Sequence, residues 1–232
     1  AFPMTFGVED AFSNPFKLNQ NATAKMKDAT SNLSLNVQHA GSKVNFTSLL
    51  AYQTNHRYYT APLDGDFSPL DIVTVINNYD GKWNKVKVLT HEFRFTSVQN
   101  KKLNWTAGTY FFHQDNPNKQ ATHYGVDAGV YGATDINFST INTTESKNTG
   151  IAAYGQVQYD LTKKLTLIAG ARYDYENKKL SVKGEYQNDG AEAFVIIPDT
   201  AGKKHYNAFS PKLGLQYKAA ETTTWFANYS RG

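Results

Sequence analysis

The chain has 232 residues, with 24 Lys and Arg against 20 Asp and Glu, no Cys, and a mean hydropathy of -0.55. A disulfide scaffold and thiolate chemistry are excluded, and with only four Arg and no dense basic run the net charge of +4 is no footprint for nucleic acid. No stretch approaches the ~18 consecutive apolar residues of a spanning helix, yet Tyr and Phe number 15 and 14.

The apolar residues come in alternating strings, the period-two signature of strands. "AFPMTFG" reads as the end of an extra strand before a polar loop. "SNLSLNVQHA" sets Leu33, Leu35 and Val37 against Asn32, Ser34 and Asn36, and a turn near Gly41 leads to "KVNFTSLLAYQTN", with Val44, Phe46, Leu50 and Tyr52 on one side. "KVKVLTHEFRFTSV" places Val86, Val88, Phe93 and Phe95 around Glu92, Arg94 and Thr96. Val88 and Phe93 have opposite parities, which predicts a bulge or a change of face near Leu89 to His91. "LNWTAGTYFFH" lines up Leu103, Trp105, Ala107, Thr109 and Phe111. "IAAYGQVQYDLTKKLTLIAGARYDYE" reads as a hairpin: Ile151, Ala153, Val157 and Tyr159 share a parity, as do Leu165, Leu167, Ala169, Ala171, Tyr173 and Tyr175, with Thr166 and Arg172 opposed. "HYNAFSPKLGLQYK" and "TTWFANYSRG" form the last pair, and Pro211, which cannot donate to a ladder, predicts an irregularity there.

Between these runs, the connections near 39–43, 98–102, 160–164 and 218–222 are short, and those near 55–84, 113–149 and 177–205 are long and polar. Loops of about thirty residues are uncommon in a compact domain, whereas tight turns at one end and long connections at the other suit an antiparallel barrel wall. The expected strands, about 9 to 13 residues long, match the ~9–11 tilted residues that cross a bilayer. Tyr52, Tyr110, Phe111, Phe112, Tyr159, Tyr173, Tyr175 and Tyr217 gather near strand ends, where a ring can sit at headgroup level. The fold class expected is all-β, an antiparallel transmembrane β-barrel. One face meets lipid; the other, with Glu92, Arg94, Gln156, Gln158, Arg172 and Lys212, needs a wet interior.

"THEFRFTS" with "LNWTAGTYFF", the hairpin of residues 151–176, "FSPKLGLQY" and the closing "WFANYSRG" together resemble, in order and spacing, the barrel of TonB-dependent outer-membrane receptors, over roughly residues 28–232. The resemblance implies a larger barrel of about 22 strands with a plugged lumen, set in the bacterial outer membrane. It also implies import of a ferric siderophore or similarly scarce nutrient, energised through the TonB complex. No plug-like segment or TonB box is visible, and the family's barrel continues past "YSRG", so residues 1–232 are expected to be about eight or nine consecutive strands of that wall. Its partners are then outer-membrane lipid, the plug and remaining strands of the parent protein, the TonB complex through the plug, and the iron-siderophore ligand. Glu92, Arg94 and Arg172 are the expected lumen or plug-facing residues; Tyr124, Tyr131 and Tyr186 are loop rings able to stack on or hydrogen-bond an aromatic or catecholate ligand.

Three other readings remain: a passive porin-like channel, a small closed barrel of about eight strands, and a soluble ligand-binding β-protein. No G-x-S-x-G or comparable signature appears, so catalysis is not expected. His113, Asp115 and His123 lie in a polar stretch without ligand spacing, so neither metal nor cofactor is expected.

Overall fold

Directly opposed residues of antiparallel strands share a face, so pairing register converts the alternation of each strand into two continuous surfaces. The computed structural model describes residues 20–98 and 102–231. The strands are β1 (Met26–Ala40), β2 (Val44–Tyr59), β3 (Leu63–Asp64), β4 (Val73–Ile76), β5 (Lys85–Ser97), β6 (Leu103–Tyr124), β7 (Phe138–Asp160), β8 (Leu165–Asn188), β9 (Phe194–Ala220) and β10 (Thr223–Ser230). Eight of them make one antiparallel path, β1-β2-β5-β6-β7-β8-β9-β10, while β4 joins β3 to the far end of β6. "AFPMTFG" lies outside the described residues.

One surface is an apolar band. Trp105, Val157, Ala169, Leu213 and Tyr229 stand opposite one another across five strands, and the next row toward the short turns is Leu103, Tyr159, Leu167, Leu215 and Ala227. Toward the other edge of the same face Phe46, Phe95 and Ala107 extend the band to β2, and Leu33 and Leu35 of β1 oppose Tyr52 and Leu50. Among the described residues no protein layer covers this band: Leu33 is 73% and Leu213 57% exposed. Area of this kind is unfavourable in water at ~25 cal/mol per Å², so the band calls for an apolar medium. The opposite surface carries Thr47, Arg94, Gly108, Tyr154, Arg172 and Ser210 in one row.

Three expectations change. The parity switch in β5 is not a bulge: its pairing with β2 runs unbroken from Val44↔Ser97 to His56↔Lys85, so Val86 and Val88 simply join the polar face. A wet face tolerates an isolated apolar side chain. Pro211 causes no irregularity, since it stays in register opposite Ala171. Its carbonyl accepts from the Arg231 N–H at 3.1 Å; N–H and C=O of one strand residue point the same way, so the missing donor falls toward the end of β10, outside the β8 ladder. The register shifts lie instead around Gly184 and at Thr223.

The third change concerns the long connections. β6 and β7 stay paired out to Tyr124↔Phe138, and β8 and β9 out to Tyr186↔Phe194. Residues 113–149 and 177–205 are therefore extended hairpins whose connections span only 125–137 and 189–193, and His113, Asp115 and His123 sit on β6. Here most residues of both parities are polar, residues 194–197 being an apolar exception, and backbone pairing sustains the strands without an apolar stripe.

Most of the buried apolar residues sit at this far end: Ile72, Ala121, Ala128, Phe138 and Ile141. The 60–84 connection is tied down by carboxylates, with Asp64 Oδ1 accepting from the Asp66 and Phe67 N–H groups at 2.8 and 2.7 Å and Asp66 Oδ2 accepting from Val73 N–H at 2.8 Å. Among the described residues β1 and β10 are opposite edges of the sheet and do not pair, so the small closed barrel is not the observed arrangement.

Candidate functional site

The polar face concentrates its charge in a depression of about 520 Å³ over β5 to β9, lined by Glu92, Arg94, Tyr154, Arg172 and Lys212 among others. Glycine makes this geometry. Gly108 lies between Arg94 and Tyr154 in the row, and a Cβ there would come within 2.6 Å of the Tyr154 hydroxyl oxygen. Without that Cβ the Tyr154 ring lies across β6 and its hydroxyl donates to Glu92 Oε1, two strands away. Gly170 plays a similar part under Gln156, whose Oε1 accepts from Lys212 Nζ at 3.2 Å. Arg172 grips Asp174 through Nε and Nη2, at 2.9 and 2.7 Å, the two-pronged form that holds a guanidinium plane in place.

The three residues expected from sequence, Glu92, Arg94 and Arg172, all line this depression. Parity puts Tyr154 on this face, but its partner is fixed by register across two strands, and the one sequence trace of it is a glycine in the neighbouring strand. Cations outnumber carboxylates, with Arg94, Arg172, Lys212 and Arg231 against Glu92 on the lining. The surface therefore suits an anionic or hydrogen-bonding counterpart.

The three ring residues expected at the far end separate into two settings. Tyr124 and Tyr186 each stack on Phe138, at centroid distances of 4.7 and 4.9 Å, and Tyr186 also meets Phe194 at 5.3 Å. By strand parity this stack lies on the polar face of the sheet, roughly 50 Å along β6 from Gly108 at ~3.4 Å per residue. Desolvation, then the Asp135 carboxylate, push the Tyr186 phenol above its ordinary value, so it stays a neutral donor. Tyr131 lies outside this stack, in a 3-10 turn Ala128–Tyr131 closed by left-handed Gly132, and is 49% exposed. His113 and His123 bond to Thr149 and Ser139 hydroxyls at 2.8 and 3.2 Å, and among the described residues no three carboxylates, histidines or cysteines gather as a metal site.

An antiparallel wall with an apolar band on one face and a charged depression on the other is the wall of a membrane β-barrel. The chain belongs to the TonB-dependent receptor-like β-barrel family, whose model matches residues 3–232. Its fold is similar to that of the ferric yersiniabactin uptake receptor FyuA from Yersinia pestis, with a TM-score of 0.65 at 13% identity, over 88% of this chain and 28% of that one. It is also similar to the ferric-catecholate import receptor Fiu from E. coli K12, with a TM-score of 0.53 and 15% identity for the open form and 0.52 and 12% for the closed form. Both Fiu matches cover 92% of this chain, which thus spans about a third of the length of the structures it matches, 36% and 34% for Fiu.

Proposed function

We propose that this chain is part of the barrel wall of an outer-membrane receptor that imports a ferric siderophore or a similarly scarce nutrient with energy supplied through the TonB complex. The observation that carries the reading is the pair of opposed surfaces: a band that needs lipid, backed by a charged depression that needs a polar filling. In this reading Glu92, Arg94, Tyr154 and Arg172 face a plug, and the charge-assisted bonds of Arg172 to Asp174 and of Tyr154 to Glu92 hold those side chains in place for it. The free edges of β1 and β10 are then continued by further strands, since a bilayer leaves no backbone donor without a partner. The aromatic stack Tyr124–Phe138–Tyr186–Phe194 stands on the same face at the outer mouth, where a planar ligand can add to it.

The short turns lie in the periplasm and the long hairpins outside, as in inserted barrels. With single cysteines and an impermeant reagent on whole cells, Asn188→Cys labels and Lys163→Cys does not; the reverse pattern rejects this sidedness. Uptake by the whole receptor stops when the proton-motive force is collapsed. Uptake that persists unchanged would leave the passive channel as the better reading.

A further inference from the structure

On the lipid-side face, one row of charged residues borders the apolar band. Lys147 of β7, Lys179 of β8 and Lys203 of β9 are directly opposed in register, and Asp115 and Lys87 continue the row onto β6 and β5. The last apolar row, Phe111, Ile151 and Tyr175, is four residues down each strand. That separation is roughly 13 Å of strand, or about 10 Å of height at the usual barrel tilt. The lysine ammonium groups therefore sit where lipid headgroups lie, with stems long enough to reach down to them.

Like charges opposed across strands repel, and three in succession need a counter-charge. Elsewhere the sheet supplies one: Lys183 meets Glu185 at 2.7 Å, Lys82 meets Glu145 at 3.4 Å, and Lys178 meets Glu176 at 3.3 Å. Asp115 opposes Lys147 in register and offsets part of the charge at the β6 end. Among the described residues, however, no carboxylate stands within ion-pair distance of Lys179 or Lys203, and both are exposed.

We propose that the row Lys147–Lys179–Lys203 binds the phosphate groups of an anionic membrane lipid packed against the barrel. The proposal rests on the outer-membrane reading of the apolar band and adds a specific lipid contact to it. A phosphate monoester carries more charge than a diester and presents several acceptor oxygens to three neighbouring ammonium groups, so the row prefers monoester headgroups.

The test uses the whole receptor in phosphatidylcholine nanodiscs doped with phosphatidate, with phosphatidylglycerol or with diacylglycerol, and counts retained lipid by native mass spectrometry after extraction. Wild type retains phosphatidate over phosphatidylglycerol, and diacylglycerol hardly at all. The variant Lys147→Gln/Lys179→Gln/Lys203→Gln loses phosphatidate retention on the order of a hundredfold, from about a fivefold effect per lysine. Lys178→Gln/Lys204→Gln, on the opposite face, keeps wild-type retention, and the three-fold Lys→Arg variant restores it. Equal retention of phosphatidate and diacylglycerol by wild type, or undiminished retention by the Gln variant, overturns the proposal. Heat-modifiable gel mobility is read on each sample: a receptor that inserts but shows no lipid preference rejects the lysine row alone, whereas a wild type that never inserts rejects the membrane reading and the row with it.

Discussion

The two halves of β6 to β8 run on one unbroken ladder and carry different side chains. Next to the short turns every second residue is apolar, as in Trp105, Val157, Ala169 and Leu213, and the alternate row holds Tyr154 and Arg172. Next to the long connections both parities are polar: Thr143, Glu145 and Lys147 on one, Asn142, Thr144 and Ser146 on the other. Backbone pairing is the same in both halves, since β7 and β8 stay in register from Phe138↔Asn188 to Asp160↔Thr166. In the proposed membrane setting the bilayer boundary is written in side chains and not in strand ends, and it falls between the Ile151 row and the Lys147 row, in the middle of the ladder.

The sharpest way to break this comparison is one substitution made in both halves. Leu213→Arg, near the middle of the band, costs about 2–4 kcal/mol of folding free energy in vesicles. Ala201→Arg, on the same face of β9 in the polar half, stays within about 0.5 kcal/mol. Urea titration of both variants reads the difference, and equal costs would erase the boundary.

Within the band half, Gly108→Ala forces Tyr154 off Glu92 and costs about 1–3 kcal/mol through overpacking. In a Tyr154→Ala background the same change costs less, because the phenol is gone and only the Phe93 carbonyl oxygen, 2.5 Å from the added Cβ, has to give way. A double-mutant cycle that comes out additive would show that Gly108 does not serve Tyr154.

In the polar half, ring stacking adds to the backbone pairing. Tyr186→Leu removes contacts with both Phe138 and Phe194 and costs about 0.5–1.5 kcal/mol. Smallest of all is Glu145→Gln, which breaks a solvent-exposed ion pair with Lys82 and costs at most about 1 kcal/mol. That loss fades as salt is raised; a cost unchanged in high salt would mean that Glu145 acts through something other than charge.

The same contrast explains what could be read from sequence. Leu165 to Tyr175 displays its face openly, because lipid on one side and water on the other impose strict alternation. Residues 138–149, "FSTINTTESKNT", alternate nothing, since polar side chains stand on both parities; they look like loop until register shows them paired on both sides. Glu92, Arg94 and Arg172 could be placed on the polar face from parity alone. The Tyr154–Glu92 bond could not, because it depends on how β5, β6 and β7 are staggered and on Gly108 standing between them. Val86 and Val88 misled for the opposite reason: an apolar residue on a wet face costs little, so it carries little positional information.

The central claim is that the two parities of one strand meet lipid and a polar interior. The direct measurement is paramagnetic accessibility of single spin labels placed along β7 and β8 of the whole receptor in a bilayer, with oxygen as the lipid-soluble relaxant and a nickel chelate as the water-soluble one. Labels at Ala153, Val157, Leu167 and Ala169 respond to oxygen and are shielded from the chelate, while labels at Gln156, Gln158, Thr166 and Gly170 lose the oxygen preference, and beyond Lys147 and Lys179 both parities respond to the chelate. Oxygen preference on the Gln156 and Gly170 parity, or no alternation between the parities of the band, would contradict it.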